Sequence, residues 1–186
     1  MQNRNLALNK PIQASSSEND DLSAIKVVDG SLNTRWASQW SDPQTFIVDL
    51  EDYFDISRIT IFWEAAYSSK YTVELSQDAV NWEPCVNEGS GNGGKDDWEI
   101  NSSGHQRYAK FTGIKRATQY GYSMYEFEVY GKQSEIAVNV KDVNDSAQDT
   151  VQLCPNPVSD LLRIKGISND EFVEIYNEAG RLVKSL

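Results

Sequence analysis

The sequence predicts an all-β protein: a β-sandwich or barrel followed by a small β appendage. Three observations carry that expectation. Apolar residues alternate with polar ones at Phe46-Val48-Leu50, Ile59-Ile61-Trp63, Tyr71-Val73-Leu75 and Phe127-Val129, the two-residue period of a strand with one buried face. Turn chemistry separates the runs at Asp29-Gly30, Asp42-Pro43, Gln77-Asp78 and the glycine cluster Gly89 to Gly94. Helical periodicity is lacking over any stretch of helix length. Short strands with such spacing belong to a sandwich or barrel.

Each part of the chain can be justified in turn. All five Trp and eight of the nine Tyr precede Lys132, so the aromatic core belongs to residues 1–132. Within it, Thr72, Glu74 and Ser76 face away from Tyr71, Val73 and Leu75, which gives that strand one wet face. Residues 133–150 read as a solvated linker: they lack aromatics, and Lys141 to Thr150 runs K-D-V-N-D-S-A-Q-D-T, although Ile136, Val138 and Val140 alternate and can form a short strand. Residues 151–186 form the appendage. There a Pro155-Asn156-Pro157 entry, an alternating strand and a turn at Glu178-Ala179-Gly180 predict a small antiparallel sheet.

Composition excludes several functions. The 186 residues carry 17 basic and 28 acidic side chains, a formal charge of −11, which argues against a phosphate-backbone partner because nucleic-acid affinity comes from Lys and Arg. No apolar run approaches the roughly 20 residues of a membrane helix. Met1 to Asn9 has no apolar segment of the signal-peptide kind, so the chain either stays in the cell or is a piece of a secreted protein. Cys85 and Cys154 have neither zinc nor redox spacing and are expected as unpaired thiols.

Catalytic motifs are weak. The single histidine, His105, sits in the polar, turn-like N-S-S-G-H-Q-R-Y and is expected at the surface. Gly89, Gly91 and Gly94 match G-x-G-x-x-G, but a strand-like Lys95 to Ile100 follows where a phosphate loop needs a helix. Glu18 and Glu64 are a possible carboxylate pair for glycoside hydrolysis, yet a small sandwich lacks the deep cleft that raises an acid's pKa. The polar turn from Val27 to Trp36 can aim several carbonyl oxygens and the Asp29 carboxylate at one point, as calcium requires. Its plain alternative is a β-turn in which Asp29 bonds its own backbone.

Several motifs together resemble a known family. N-L-A-L-N-K-P at Asn5 to Pro11, A-S-S-S-E at Ala14 to Glu18, V-D-G-S-L-N-T-R-W at Val28 to Trp36 and S-D-P-Q at Ser41 to Gln44 are similar to discoidin domains. So are S-x-D-x-x-x-W at Ser76 to Trp82, Arg107-Tyr108, and Y-G-Y-S-M-Y-E-F-E-V-Y-G at Tyr120 to Gly131. This is the coagulation-factor type C superfamily, which includes carbohydrate-binding module family 32. The resemblance covers residues 3–132 and implies an eight-stranded, galactose-binding-like jelly-roll sandwich without catalytic activity. It also implies a structural calcium ion held by the carbonyls of Lys26, Ser31, Thr34 and Tyr125, the Thr34 hydroxyl, and the carboxylates of Asp29 and Glu126.

Trp63 to Tyr67 and Tyr120 to Met124 resemble discoidin modules appended to chitosanases and β-glucanases, which implies a sugar site at Glu18, Arg35, Trp40, Glu64 and Tyr122. Trp40, flanked by Ser38, Gln39, Ser41 and Asp42, is expected to be exposed, whereas Trp36 is expected in the core. The implied ligand is chitosan or glucosamine oligomers, then β-1,3-glucan. Other discoidin relatives are adhesion domains for protein or lipid, and hydrolysis is the remaining alternative. Finally, N-P-V-S-D at Asn156 to Asp160 resembles the carboxyl-terminal sorting domain of type IX secretion. That implies a truncated sorting module, a secreted or cell-surface parent in a Gram-negative cell, and a catalytic domain amino-terminal to this segment.

Overall fold

The computed structural model describes residues 4–102 and 104–134, apart from the side chain of residue 88, and the backbone of four short strands between residues 152 and 185. The first of two compact units spans residues 1–134. Its eight strands are β1 (Ile12–Ala14), β2 (Trp36–Ala37), β3 (Gln44–Trp63), β4 (Ser68–Ser76), β5 (Glu83–Gly89), β6 (Lys95–Glu99), β7 (Gln106–Arg116) and β8 (Ser123–Gln133). Two short 3-10 turns, Asp20–Leu22 and Ala24–Val27, are the only helical elements among the described residues.

Strand β3 organises the sandwich. It is 20 residues long and bends after Leu50, where Glu51 adopts φ 65° and the register to β7 breaks between Asp49 and Phe54. Its first half pairs antiparallel with β7 and β1, Phe46 lying opposite Phe111 and Val48 opposite Ile12. Its second half pairs with β8 and β6, Ile59 lying opposite both Val129 and Trp98. The layers are therefore β1-β3-β7-β4-β5 and β6-β3-β8-β2, with β3 in both. The bend returns the chain, so both ends of β3 lie at one pole of the sandwich and its bend at the other.

The alternation seen in the sequence is the core. Every apolar residue of the four runs is buried. Phe46 stacks on Phe111 (centroids 5.2 Å apart) and meets Phe127 (5.2 Å) and Trp36 (5.3 Å) edge-on. Such pairs contribute about 0.5–1.5 kcal/mol each beyond their buried area. Beside them Asp96 accepts hydrogen bonds from Trp63 Nε1 and the Tyr71 hydroxyl, both 2.7 Å, and Trp98 Nε1 donates to Tyr71 (2.8 Å). A side chain at Gly91 would press on the Ser68 carbonyl and the Trp63 indole. The glycine cluster thus serves close packing and leads into strand β6, as expected, not into a phosphate-binding helix.

At the bend pole Arg107 grips Asp49 through two hydrogen bonds of 2.8 and 2.9 Å. That guanidinium holds the Asp49 carboxyl below its ordinary range. The stabilisation is present above the unfolded-state pKa, and it is lost as pH falls from about 4 through the folded value. Asp49→Asn is expected to lower the melting temperature at neutral pH and to make its decline below pH about 4 shallower. A decline as steep as wild type would show that other carboxylates dominate it.

Arg4 and Ser134, the first and last described residues of this unit, also lie at the bend pole. Asn5 accepts from the Val129 amide (3.1 Å), and the Ser134 amide donates to the Tyr53 carbonyl (3.0 Å). Arg4 and Gln133 line one cavity of about 210 Å³ together with Leu50 and Phe54. Cys85 is a free, half-buried thiol that donates to the Val73 carbonyl (3.3 Å), and burial pushes its pKa up to about 12.

The second unit spans residues 135–186. Strand β9 (Gln152–Cys154) pairs antiparallel with β10 (Arg163–Lys165), and β11 (Glu174–Tyr176) with β12 (Leu182–Ser185). The expected linker beyond Ser134, the N-P-V-S-D motif and the Cys154 side chain lie outside the described residues.

Candidate functional site

The site grows from one pair of strands. Trp36 lies opposite Met124 and Ala37 opposite Ser123 in the β2–β8 pairing. The pairing continues past both strands: the Ser38 amide donates to the Tyr122 carbonyl, and the Tyr122 amide donates to Ser38 Oγ, both 2.9 Å. The next position needs glycine, because a Cβ on Gly121 would lie 2.1 Å from the Ser38 carbonyl oxygen. One step further, Trp40 faces Tyr120. Their rings meet edge to face, 5.4 Å apart at 84°, and are 55% and 50% exposed. Two exposed rings at right angles form an apolar corner open to solvent.

Ser123 gathers the polar groups beside that corner. Arg35 Nη1 donates to its hydroxyl (2.6 Å), and the Glu64 amide donates to its carbonyl (3.1 Å). Glu64 is oriented by the Ala66 amide, which donates to Oε2 (3.0 Å). The Glu18 amide donates to the carbonyl of Ala37 (2.7 Å), the residue opposite Ser123. Trp36 Nε1 ties the preceding loop down through the Ser16 carbonyl (3.0 Å). Glu18, Arg35, Trp40 and Glu64 therefore come together at the pole where β3 begins and ends. His105 does not join them; it precedes β7 at the opposite pole, half-buried, with Nδ1 unpartnered.

Tyr122 corrects an expectation. It is fully buried and cannot wall a sugar site. Its ring fills the slot left by Gly113, where a Cβ would come within 2.7 Å of it, and its hydroxyl donates to Asp42. The exposed aromatic partner of Trp40 is Tyr120 instead. Tyr122 points inward in phase with Met124, and an irregularity in the β3–β8 register leaves Tyr125 unpaired and shifts that phase before Phe127.

The Asp29 turn is closed over β8. The Thr34 hydroxyl lies 2.7 and 2.9 Å from the Asp29 oxygens and 3.1 Å from the Ser31 carbonyl. Glu126 Oε1 accepts from the amides of Gly30 (2.7 Å) and Ser31 (3.0 Å), while its Oε2 is buried without a partner. Burial, with Asp29 alongside, pushes Glu126 up to about 8. Lys26 lies in the second 3-10 turn, which packs against β8, and Tyr125 is the residue next to Glu126 that the β3–β8 register skips. Among the described residues no three His, Cys, Asp or Glu side chains cluster for a metal. A cation here would rest on two carboxylates plus carbonyl and hydroxyl oxygens.

The F5/8 type C domain model matches residues 11–127. The chain belongs to the F5/8 type C family. Similar solved structures include chitosan-binding module 1 of a chitosanase/glucanase from Paenibacillus sp. IK-5, which is 42% identical with a TM-score of 0.66 and pairs 69% of this chain with 99% of that one. Module 2 of the same enzyme, solved with chitotriose, is 38% identical with a TM-score of 0.65, over 68% of this chain and 100% of its own. The Clostridium perfringens module CpGH89CBM32-5, in complex with GalNAc-β-1,3-galactose, shares the fold at 21% identity and a TM-score of 0.60, over 66% and 96% of the two chains. No curated protein matches the chain. The F5/8 type C domain thus accounts for the strands, the aromatic corner and the Asp29 turn.

Proposed function

We propose that the F5/8 type C domain is a non-catalytic carbohydrate-binding module that brings an attached, secreted glycoside hydrolase to its polysaccharide. The observation that carries this reading is the exposed Trp40–Tyr120 corner beside Glu18, Arg35 and Glu64. The flat rings suit the C–H faces of a pyranose. The two carboxylates favour an ammonium group through charge-assisted hydrogen bonds, which places chitosan and glucosamine oligomers first and β-1,3-glucan second. Similarity to the two chitosan-binding modules supports the same order. A shallow, open site gives dissociation constants of roughly micromolar to millimolar, and its effect on a tethered enzyme is one of effective concentration.

Calorimetry with glucosamine and glucose oligomers of equal length tests the proposal. Glu64→Gln is expected to weaken the glucosamine oligomer about tenfold, in line with about 1.5 kcal/mol for a charged hydrogen bond, and to leave the glucose oligomer nearly unchanged. Equal weakening of both would make the ligand a neutral glucan. No new reducing ends are expected from either oligomer.

A structural calcium ion belongs to the same reading. Its ligands would be the carbonyls of Lys26, Ser31, Thr34 and Tyr125, the Thr34 hydroxyl, Asp29 and Glu126. The unpartnered, buried Glu126 Oε2 beside Asp29 fits a hard cation with oxygen ligands. Bound there, the ion supplies charge neutralisation and cross-links the turn to β8. Secretion through a type IX system rests on the N-P-V-S-D motif alone. On that reading the parent would act at the surface or exterior of a Gram-negative cell.

A further inference from the structure

We infer that Asp42, Arg116 and Tyr122 are positioning residues that lock the Trp40 loop to the Tyr120 loop and so hold the aromatic corner in its binding geometry. The inference rests on the sugar-binding reading of that corner.

The need for such a lock follows from where the strand pairing stops. Backbone pairing between the loops ends at Ser38 and Tyr122, and the two exposed rings sit two residues beyond it. One carboxylate bridges the gap. Asp42, two residues after Trp40, accepts from the buried Tyr122 hydroxyl and, at 3.2 Å, from Arg116 Nε. Arg116 Nη1 then donates to the carbonyls of Gln119 (3.1 Å) and Tyr120 (3.3 Å). A single guanidinium therefore grips the backbone that carries one ring and the carboxylate that anchors the other. A fork of fixed geometry can do this, whereas a lysine ammonium cannot span the same acceptors with the same rigidity. On the Trp40 side, Gln44 Nε2 donates to Ser41 Oγ (2.7 Å) and completes the anchoring of that loop.

None of the three residues needs to touch the ligand. Their effect is preorganisation: rings already fixed at 84° need not be ordered when a sugar arrives. Tyr122→Phe keeps the buried ring and removes only the hydroxyl. Arg116→Gln removes the fork. Each is expected to weaken oligosaccharide binding about five- to tenfold, to reduce the near-ultraviolet circular dichroism of the Trp40–Tyr120 pair, and to leave the far-ultraviolet spectrum unchanged. In a Tyr120→Leu background, which has no ring pair to position, the same substitutions should cost little further affinity.

Titration of glucosamine oligomers into these variants and into Trp40→Ala decides the matter. Wild-type affinity in Tyr122→Phe and Arg116→Gln overturns the positioning role. So does an equal loss with and without Tyr120, which would mean general loosening. If Trp40→Ala binds as wild type, the sugar site itself is wrong, and the dichroism of the clamp variants still reports whether the corner is held.

Discussion

Replacing Trp40 with alanine is expected to reduce affinity for glucosamine oligomers at least about thirtyfold, the roughly 2 kcal/mol of a binding hot spot. The change should leave the fold intact. Trp40 is 55% exposed and lies outside the core cluster, so its removal opens no interior cavity. It also leaves the β2–β8 pairing and its Ser38–Tyr122 extension in place, since those bonds are made by other residues. The loss arises because the indole supplies the largest flat apolar surface at this pole, and Tyr120 alone leaves only one side of the corner. Tyr120→Leu should therefore cost less, about tenfold. Calorimetry gives the affinities, and thermal melting checks that the fold survives. Unchanged affinity in Trp40→Ala would remove the sugar site from this end of the sandwich.

Chelation of calcium is expected to lower the melting temperature of the domain by roughly 8 °C. A ligand present at one hundred times its dissociation constant stabilises by about 2.7 kcal/mol, and each kcal/mol is worth roughly 3 °C for a domain of this size. The physical source is the pair of carboxylates on the Asp29 turn and β8. Glu126 is buried beside Asp29 with one oxygen unpartnered. Glu126→Gln keeps the shape and an acceptor for the amides of Gly30 and Ser31, but it removes a charge that would hold the proposed ion. That variant should melt at nearly the same temperature with and without calcium. Scanning calorimetry with added calcium and with a chelator makes the comparison. A wild-type protein indifferent to both would leave the Asp29 turn held only by its own hydrogen bonds.

The layers were legible because period-two alternation reports burial directly. Phe46, Ile59, Tyr71 and Phe127 could be placed on inner faces before any coordinates, and all are buried. The contrast between Trp36 and Trp40 was legible too, since Trp40 has two polar residues on each side whereas Trp36 is followed by Ala37, and the structure buries one and exposes the other. Tyr120 and Tyr122 were not separable in this way. Their order depends on an irregularity at Tyr125 that resets the inward phase of β8, and on the slot above Gly113 that the Tyr122 ring fills. Asp42 looked only like part of a turn. Its partners, Arg116 and Tyr122, are 74 and 80 residues away, a separation across which local chemistry carries no signal.

The pole opposite the rings holds the first and last described residues of the domain. Arg4 and Gln133 share a cavity at the bend of β3, while Trp40 and Glu64 flank the two ends of that strand. The return half of β3, Phe54 to Trp63, spans about 30 Å at roughly 3.4 Å per residue. Arg4 and Gln133 therefore lie at the pole opposite the rings, so neither stands between the aromatic corner and a ligand that approaches it end-on. The segments that carry them are pinned to the sandwich, Asn5 and Leu6 by hydrogen bonds with Val129 and Ser134 by one to Tyr53, so a pull on either is borne away from the ring pair.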